Sequence, residues 1–291
     1  MPSLKDLRNR ISSVKSTKKI TSAMKMVAAA KLKRAQENAE RSRPYANKMK
    51  DIVSSLTGKI NNQNFKFGSL KNNKDRSVLI IVCSADRGLC GGFNGSIIKF
   101  VKKFSENLSK EGKKAKFIFV GKKAFQSLRR FYEQSIVDTI SDFANPKIEF
   151  SIASSIRDKI LELFFNGEIF ECHLIFTKFK SAISQNVEAQ KLLPVENESF
   201  SNDEKRSVSY DFEPSEEELL NDIIPKNIAI QIHSALLENM ASEQGSRMTA
   251  MDNATRNAND MIDGLTLFYN RSRQALITKE LIEIISGAEA V

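Results

Sequence analysis

The sequence predicts an α/β protein: two long terminal helices pair as a coiled coil, and a small α/β domain lies between them. Three observations carry this. Residues 3–57 are free of glycine and contain one proline, Pro44. Residues 227–286 contain no proline and two glycines, Gly245 and Gly264, with apolar positions stepping by three and four. The stretch between them alternates short apolar runs with amphipathic ones, as strands alternate with helices.

The first segment, residues 1–58, reads as one helix. Leu4, Leu7, Ile11 and Val14 form its apolar stripe. After one short step Ile20, Met24 and Val27 resume it, and Ala28, Leu32, Ala35 and Ala39 carry it on. About 55 residues at about 1.5 Å each make a rod of about 80 Å. A lone helix exposing such a stripe needs a partner. The segment 213–291 supplies it. Met248, Met251, Thr255, Ala258, Ile262, Leu265 and Tyr269 step 3-4-3-4-3-4, the period of a left-handed coiled coil. This seam is richer in Ala, Thr and Met than in Leu and Ile, which suits close approach with modest stability.

Between the helices, Asn61–Asp75 reads as a polar linker, and residues 76–212 as the α/β domain. Strands are expected at Val78–Cys83, Lys116–Val120 and Ile136–Ile140. Helices are expected near Ser96–Leu108, Lys122–Tyr132 and Ile148–Phe165. A hairpin follows over Phe170–Phe179 and Ser184–Leu193. The polar stretch Glu196–Arg206 reads as a loop and Ser207–Phe212 as a last strand. Ser215–Ile223 reads as a short helix ended by Pro225.

Charge is concentrated rather than spread. The chain carries 45 Lys+Arg against 35 Asp+Glu, a net charge of +10. Residues 1–50 hold 14 of the bases and three of the acids, so this stretch is +11 and the remainder −1. That weakens the reading of a uniformly cationic nucleic-acid binder. The basic arm also lacks interleaved aromatics (Tyr45 is the first) and any known reader motif, so no nucleic-acid partner is expected. No run approaches the 18–20 or so apolar residues that span a bilayer. The N-terminus has no apolar core of a signal peptide, and three sparse cysteines suit a reducing compartment. A cytosolic chain, meeting a membrane only through partners, is the expectation.

The glycine-rich turn Asp86-Arg87-Gly88-Leu89-Cys90-Gly91-Gly92-Phe93-Asn94-Gly95 falls where a Rossmann-like fold puts its phosphate loop. The spacing G-x-x-G-G-x-x-G is not G-x-G-x-x-G, and no acid ends the second strand. Neither Gly58-Lys59 nor Gly121-Lys122 is followed by Ser or Thr, so there is no P-loop. The alternatives for this turn are a nucleotide loop and an exposed turn available for protein contact. The two histidines, His173 and His233, fall in different segments, and Cys83 and Cys90 lack zinc-ligand spacing. No cofactor, metal or catalytic set is expected. The end of the chain is apolar on several faces, with Leu276, Ile277, Leu281, Ile282, Ile284 and Ile285, and suggests an apolar socket.

Several segments carry a family resemblance. Ile20-Thr21-Ser22-Ala23-Met24-Lys25-Met26-Val27-Ala28-Ala29, Ser42-Arg43-Pro44-Tyr45, the turn Asp86–Asn94, Ala241-Ser242-Glu243-Gln244, Arg247–Thr255 and Arg273–Leu281 are similar, in order, to the gamma subunit of F-type ATP synthase. The resemblance implies the central rotor shaft of a proton-driven motor. The terminal helices would form an antiparallel coiled coil inside a ring of three alpha and three beta subunits. The Rossmann-like domain, without a nucleotide site, would meet the epsilon subunit and the c-subunit ring. The shaft would do no bond chemistry of its own. Carried over by motif, Met24 and Lys25 would lie near acidic lever loops of the beta subunits. Arg247, Gln274, Thr278, Glu280 and Glu283 would make shaft–ring contacts, and Asp86, Arg87 and Gly88 a foot contact with the c ring. The regulatory cysteine insertion of chloroplast relatives is absent, so thiol control is not expected. A bacterial chain, peripheral on the cytoplasmic side of the inner membrane, is implied. Two rival readings stand beside it: a coiled-coil nucleic-acid binder and a nucleotide-dependent enzyme built on residues 76–212.

Overall fold

The computed structural model describes residues 3–57, 67, 77–144, 147–182, 184–195 and 216–289. The expected acidic loop 196–206 and strand 207–212, and all of the linker 61–75 but Phe67, lie outside the described residues. The chain divides into two compact units, Ala30–Ser246 and Met1–Ala29 with Arg247–Val291. Two helices contribute to both: α1 (Leu4–Thr57) and α5 (Glu216–Glu289).

The unit Ala30–Ser246 is built on one five-stranded sheet. Its strands are β1 (Ser77–Cys83), β2 (Lys114–Val120), β3 (Ile136–Ile140), β4 (Glu171–Phe179) and β5 (Gln185–Leu193). Their spatial order is β3-β2-β1-β4-β5. The pairs β1–β2, β1–β4 and β2–β3 are parallel, and the closing β4–β5 pair is an antiparallel hairpin. Helices α2 (Phe93–Lys110), α3 (Lys122–Tyr132) and α4 (Phe150–Phe165) connect the parallel strands.

β1 shows why the sheet is covered on both faces. All seven of its residues are buried, as expected of a central parallel strand. Val78, Ile80 and Val82 pack with Ile97, Val101 and Leu128 of α2 and α3. Leu79, Ile81 and Cys83 turn the other way, toward Ile156 and Ile160 of α4. The same second cluster takes in Ala39 and Val53 of α1 and Leu220, Ile224, Ile228, Ile232 and Leu236 of α5. The stretches of both long helices that fall within Ala30–Ser246 are therefore part of this unit's core.

Pro225 does not end a helix; α5 runs through it without a break. Proline removes one backbone donor and crowds the preceding turn. The burial of Leu220, Ile224 and Ile228 on either side of it, each no more than 1% exposed, offsets that loss.

Candidate functional site

The unit Met1–Ala29 with Arg247–Val291 is a helix pair. On α5 the covered positions are those expected, from Met248 through Met251, Thr255, Ala258, Ile262 and Leu265 to Tyr269, with Ser272 next in step. On α1 the stripe has no short step. It proceeds Leu4, Leu7, Ile11, Val14, Lys18, Thr21, Lys25, Ala28 in unbroken threes and fours. Ile20 and Val27, expected in the stripe, are 60% and 56% exposed.

The register holds because three polar pairs link the two helices. The Thr255 hydroxyl lies 2.8 Å from Thr21 Oγ1 and 2.8 Å from the Met251 carbonyl, and the Thr21 hydroxyl donates to the Lys18 carbonyl at 3.1 Å. Lys25 Nζ donates to Asp252 Oδ1 at 2.6 Å. Arg8 Nη2 donates to the Tyr269 hydroxyl at 3.0 Å. As the α1 number rises from 8 to 21 to 25, the α5 number falls from 269 to 255 to 252, so the helices are antiparallel.

Asp252 is held by two cations. Besides Lys25, Arg256 Nη2 donates to Oδ2 at 2.7 Å. The Lys25 hydrogen bond, followed by the charge of Arg256, holds the Asp252 carboxyl below the usual carboxylate range. Of the residues expected to meet beta subunits, Lys25 thus already engages Asp252 within the pair, while Met24 beside it is half-buried. Arg247 is half-buried at the start of this unit's α5 segment.

With Arg8 opposite Tyr269 and α1 starting at Leu4, α5 has no facing α1 residue beyond about Arg273. Residues 274–288, about 23 Å of helix, form an overhang exposed on every side. Gln274, Thr278, Glu280 and Glu283 all lie on it. At about 100° per residue, Gln274 and Thr278 share one face and Glu280 and Glu283 the opposite one. The Thr278 hydroxyl donates to the Gln274 carbonyl at 3.0 Å, and Lys279 pairs with Glu283 at 3.5 Å. Leu276, Ile277, Leu281, Ile282, Ile284 and Ile285 are 46–72% exposed along the same stretch.

In the unit Ala30–Ser246 the glycine-rich turn joins β1 to α2. Its opening residues serve α3. Asp86 Oδ1 accepts from the Lys122 N–H at 3.1 Å, the Ala85 carbonyl from Lys123 N–H at 3.0 Å, and Ser84 Oγ from Ala124 N–H at 3.2 Å. The first-turn donors of α3, the groups that would otherwise attract an anion, are consumed by the chain itself. Asp86 is half-buried in this cap, Arg87 is exposed and Gly88 is half-buried. The tip is Leu89, with φ 63° and 64% exposed. Ser246 of α5 donates to the Cys90 carbonyl at 2.7 Å, and Asn94 Nδ2 to Cys90 Sγ at 3.1 Å. All three cysteines are buried, and burial pushes the Cys83 thiol up to about 12.

The structure does not gather the ten predicted residues into one site. Seven lie along the helix pair and three on the turn. The partners missed from sequence, Thr21, Asp252 and the cap residue Ser84, leave only one local trace: Gly121 follows β2 with no capping side chain before α3. Both histidines are half-buried, and burial lowers their pKa; His173 lies against Glu171 and Phe104, His233 against Phe150. Among the described residues no group of three or more His, Cys, Asp or Glu could hold a metal ion, and no helix is long and apolar enough to cross a membrane.

A family model for ATP synthase matches residues 3–291. The chain is 50% identical over 292 residues to the ATP synthase gamma chain of Pelagibacter ubique, and 51% identical over 293 residues to that of Sinorhizobium medicae. Each match covers 100% of both chains. This chain belongs to the ATP synthase gamma chain family. Solved structures agree in fold. A chain of the central stalk and c-ring of Tetrahymena thermophila mitochondrial ATP synthase is 29% identical, with TM-score 0.60, over 81% of this chain and 99% of that one. A chain of the Euglena gracilis mitochondrial enzyme, 19% identical, reaches TM-score 0.70 over 99% of this chain and 94% of that one. The gamma chain match thus spans the turn, the sheet and both long helices.

Proposed function

We propose that this chain is the central rotor shaft of a proton-driven F-type ATP synthase. It couples rotation of the membrane c ring to conformational change at the catalytic beta subunits, and makes or breaks no bond itself. The carrying observation is full-length identity of about one half to bacterial ATP synthase gamma chains. Its partners are the alpha and beta subunits, three of each, the epsilon subunit and the c-subunit ring. It works on the cytoplasmic side of the bacterial inner membrane and reaches the membrane only through those partners. In functional terms the chain divides into the coiled-coil helices 1–58 and 213–291 and the α/β domain 76–212.

Met24, Lys25 and Arg247 on the helix pair, and Gln274, Thr278, Glu280 and Glu283 on the overhang, contact the alpha–beta ring. Exposed polar contacts suit a surface that must pass each beta subunit without locking to it, since exposed ion pairs contribute about 0–1 kcal/mol each. An asymmetric shaft meets each beta subunit with a different face and so shifts its conformational population by differential interaction. The apolar overhang fits a sleeve formed by the ring.

For Asp86, Arg87 and Gly88 we propose a contact with the c ring. A second reading is favoured by the Ser246–Cys90 bond, which ties this turn to α5 one residue before Arg247. On that reading the turn faces the alpha–beta ring. A cysteine at Arg87, cross-linked in the assembled enzyme, distinguishes the two by its product, c subunit or beta subunit. The rotor reading itself is tested by co-purification with alpha, beta and epsilon subunits under gentle conditions. Failure to join an alpha–beta ring refutes it.

A further inference from the structure

β4 is longer than its neighbour on one side. The β1 register ends at Val82 opposite Ile175, yet β4 continues to Phe179. The backbone groups of Thr177 and Phe179 that would face a longer β1 need other partners, because buried donors and acceptors are costly to leave unpaired. Side chains of α5 supply them. Asn239 Oδ1 accepts from the Thr177 N–H at 3.2 Å, and Ser242 Oγ donates to the Thr177 carbonyl at 3.0 Å. Glu238 Oε2 accepts from the Phe179 N–H at 3.1 Å. Glu238, Asn239 and Ser242 are each no more than 7% exposed.

The remaining oxygen of Glu238 faces the other helix. Arg43 of α1 donates to Oε1 through Nε at 3.0 Å and Nη2 at 2.6 Å. One buried carboxylate therefore joins α1, α5 and β4, with both oxygens engaged by charged or backbone donors. Three residues past Ser242, Gly245 lets α5 approach closely: a Cβ there would lie 3.2 Å from the Phe179 ring and 3.4 Å from Ala182 Cα. The contacts at 238, 239, 242 and 245 recur on one helix face.

We infer that Glu238 is a torque-bearing junction, fastening both long helices to the end of β4 so that the sheet and the two helices turn together. The inference rests on the rotor reading above. Hydrophobic packing resists separation but is non-directional and yields to sliding or twisting; a two-donor ion pair on a buried carboxylate and a strand-end hydrogen bond fix orientation. Arg43 reaches the sheet only through Glu238 in this set of bonds, so losing either residue removes this polar tie between α1 and β4 while leaving Asn239 and Ser242 in place.

The test uses the assembled ATP synthase, with the ring immobilised and a bead carried on a cysteine introduced at the exposed Lys110. Variants are R43A, E238Q and the double mutant. The expected result is that ATP hydrolysis stays within twofold of the parent. The variance of bead angle in the stalled enzyme rises at least twofold, and ATP-driven proton pumping per ATP hydrolysed falls severalfold. The double variant is expected to be no softer than the softer single one, because both changes break the same connection. Parent-like bead variance and pumping ratio in the variants overturn the inference and leave the rotor reading standing. A parent enzyme whose bead does not rotate overturns both. If E238Q fails to assemble, R43A decides alone, since Arg43 is half-exposed and its loss leaves Glu238 bonded to Phe179.

Discussion

Replacing Gly121 with alanine puts the loop that carries Asp86–Gly88 to a quantitative test. Gly121 links β2 to α3 with φ 102°, a conformation that L side chains rarely adopt. An added Cβ would lie 2.2 Å from the Ser84 carbonyl oxygen, 2.7 Å from its carbon and 2.8 Å from Oγ. Backbone strain costs about 1–3 kcal/mol. Displacing Ser84 also breaks the Ala124 cap, worth about 1 kcal/mol. The total, about 2–4 kcal/mol, corresponds to a Tm about 5–15 °C lower for a unit of this size. Two further alanines calibrate it. Gly112 has φ 72° but nothing within 4 Å of its Cβ position, so G112A carries strain alone and is expected to cost about 1 kcal/mol. Gly95 lies inside α2, also with open space, and G95A is expected to stabilise by about 0.5–1 kcal/mol. Thermal unfolding of the full chain, followed by circular dichroism, measures all three. A Tm for G121A within 2 °C of the parent, or no lower than that of G112A, refutes the reasoning.

Three more outcomes follow from the helix pair. The folded-state pKa of Asp252 is depressed, so its contribution is present above the unfolded carboxyl value near 4 and is lost as pH falls through the folded value. Urea denaturation is expected to show this acid-side loss in the parent and its absence in D252N. The double change Thr21→Val with Thr255→Val replaces a hydrogen-bonded seam pair by an apolar one of similar shape; within about 1 kcal/mol of neutral is expected, and a larger loss in the urea midpoint would show the hydroxyls to be indispensable. Replacing Lys18, Lys19 and Lys25 together is expected to alter coupling and salt sensitivity of ATP-driven proton pumping while circular dichroism of the sheet unit is unchanged. Loss of the fold instead would contradict the placement of those charges on the helix pair.

The α/β alternation was legible because strands buried on both faces read as continuous apolar runs, such as Val78–Cys83, whatever their neighbours. The α5 seam was legible because Met, Ile and Leu mark its steps. The α1 seam was not. Lys18, Thr21 and Lys25 look like surface residues until Asp252 and Thr255, more than 220 positions away, are set against them. Ile20 and Val27 mislead for the converse reason: apolar residues on the outside of a helix are indistinguishable in sequence from those inside. Pro225 reads as a terminator in sequence because its local cost is visible there and the burial of Leu220 and Ile228 that offsets it is not. Of the candidate residues, the overhang set rests on the family resemblance alone, whereas the cap formed by Asp86 depends on a backbone N–H at Lys122 that no spacing rule announces.

The antiparallel pairing has a consequence for the order of synthesis. Arg8 finds Tyr269 across 261 positions of sequence, and Lys25 finds Asp252 across 227. At about 5–20 residues per second on the ribosome, the first helix waits about 10–50 seconds for the last one to emerge. Within that interval the end of β4 waits for Ser242, 65 residues later, for about 3–13 seconds. The nascent chain therefore carries an unpaired amphipathic helix through most of its translation and an open strand end through the last part of it.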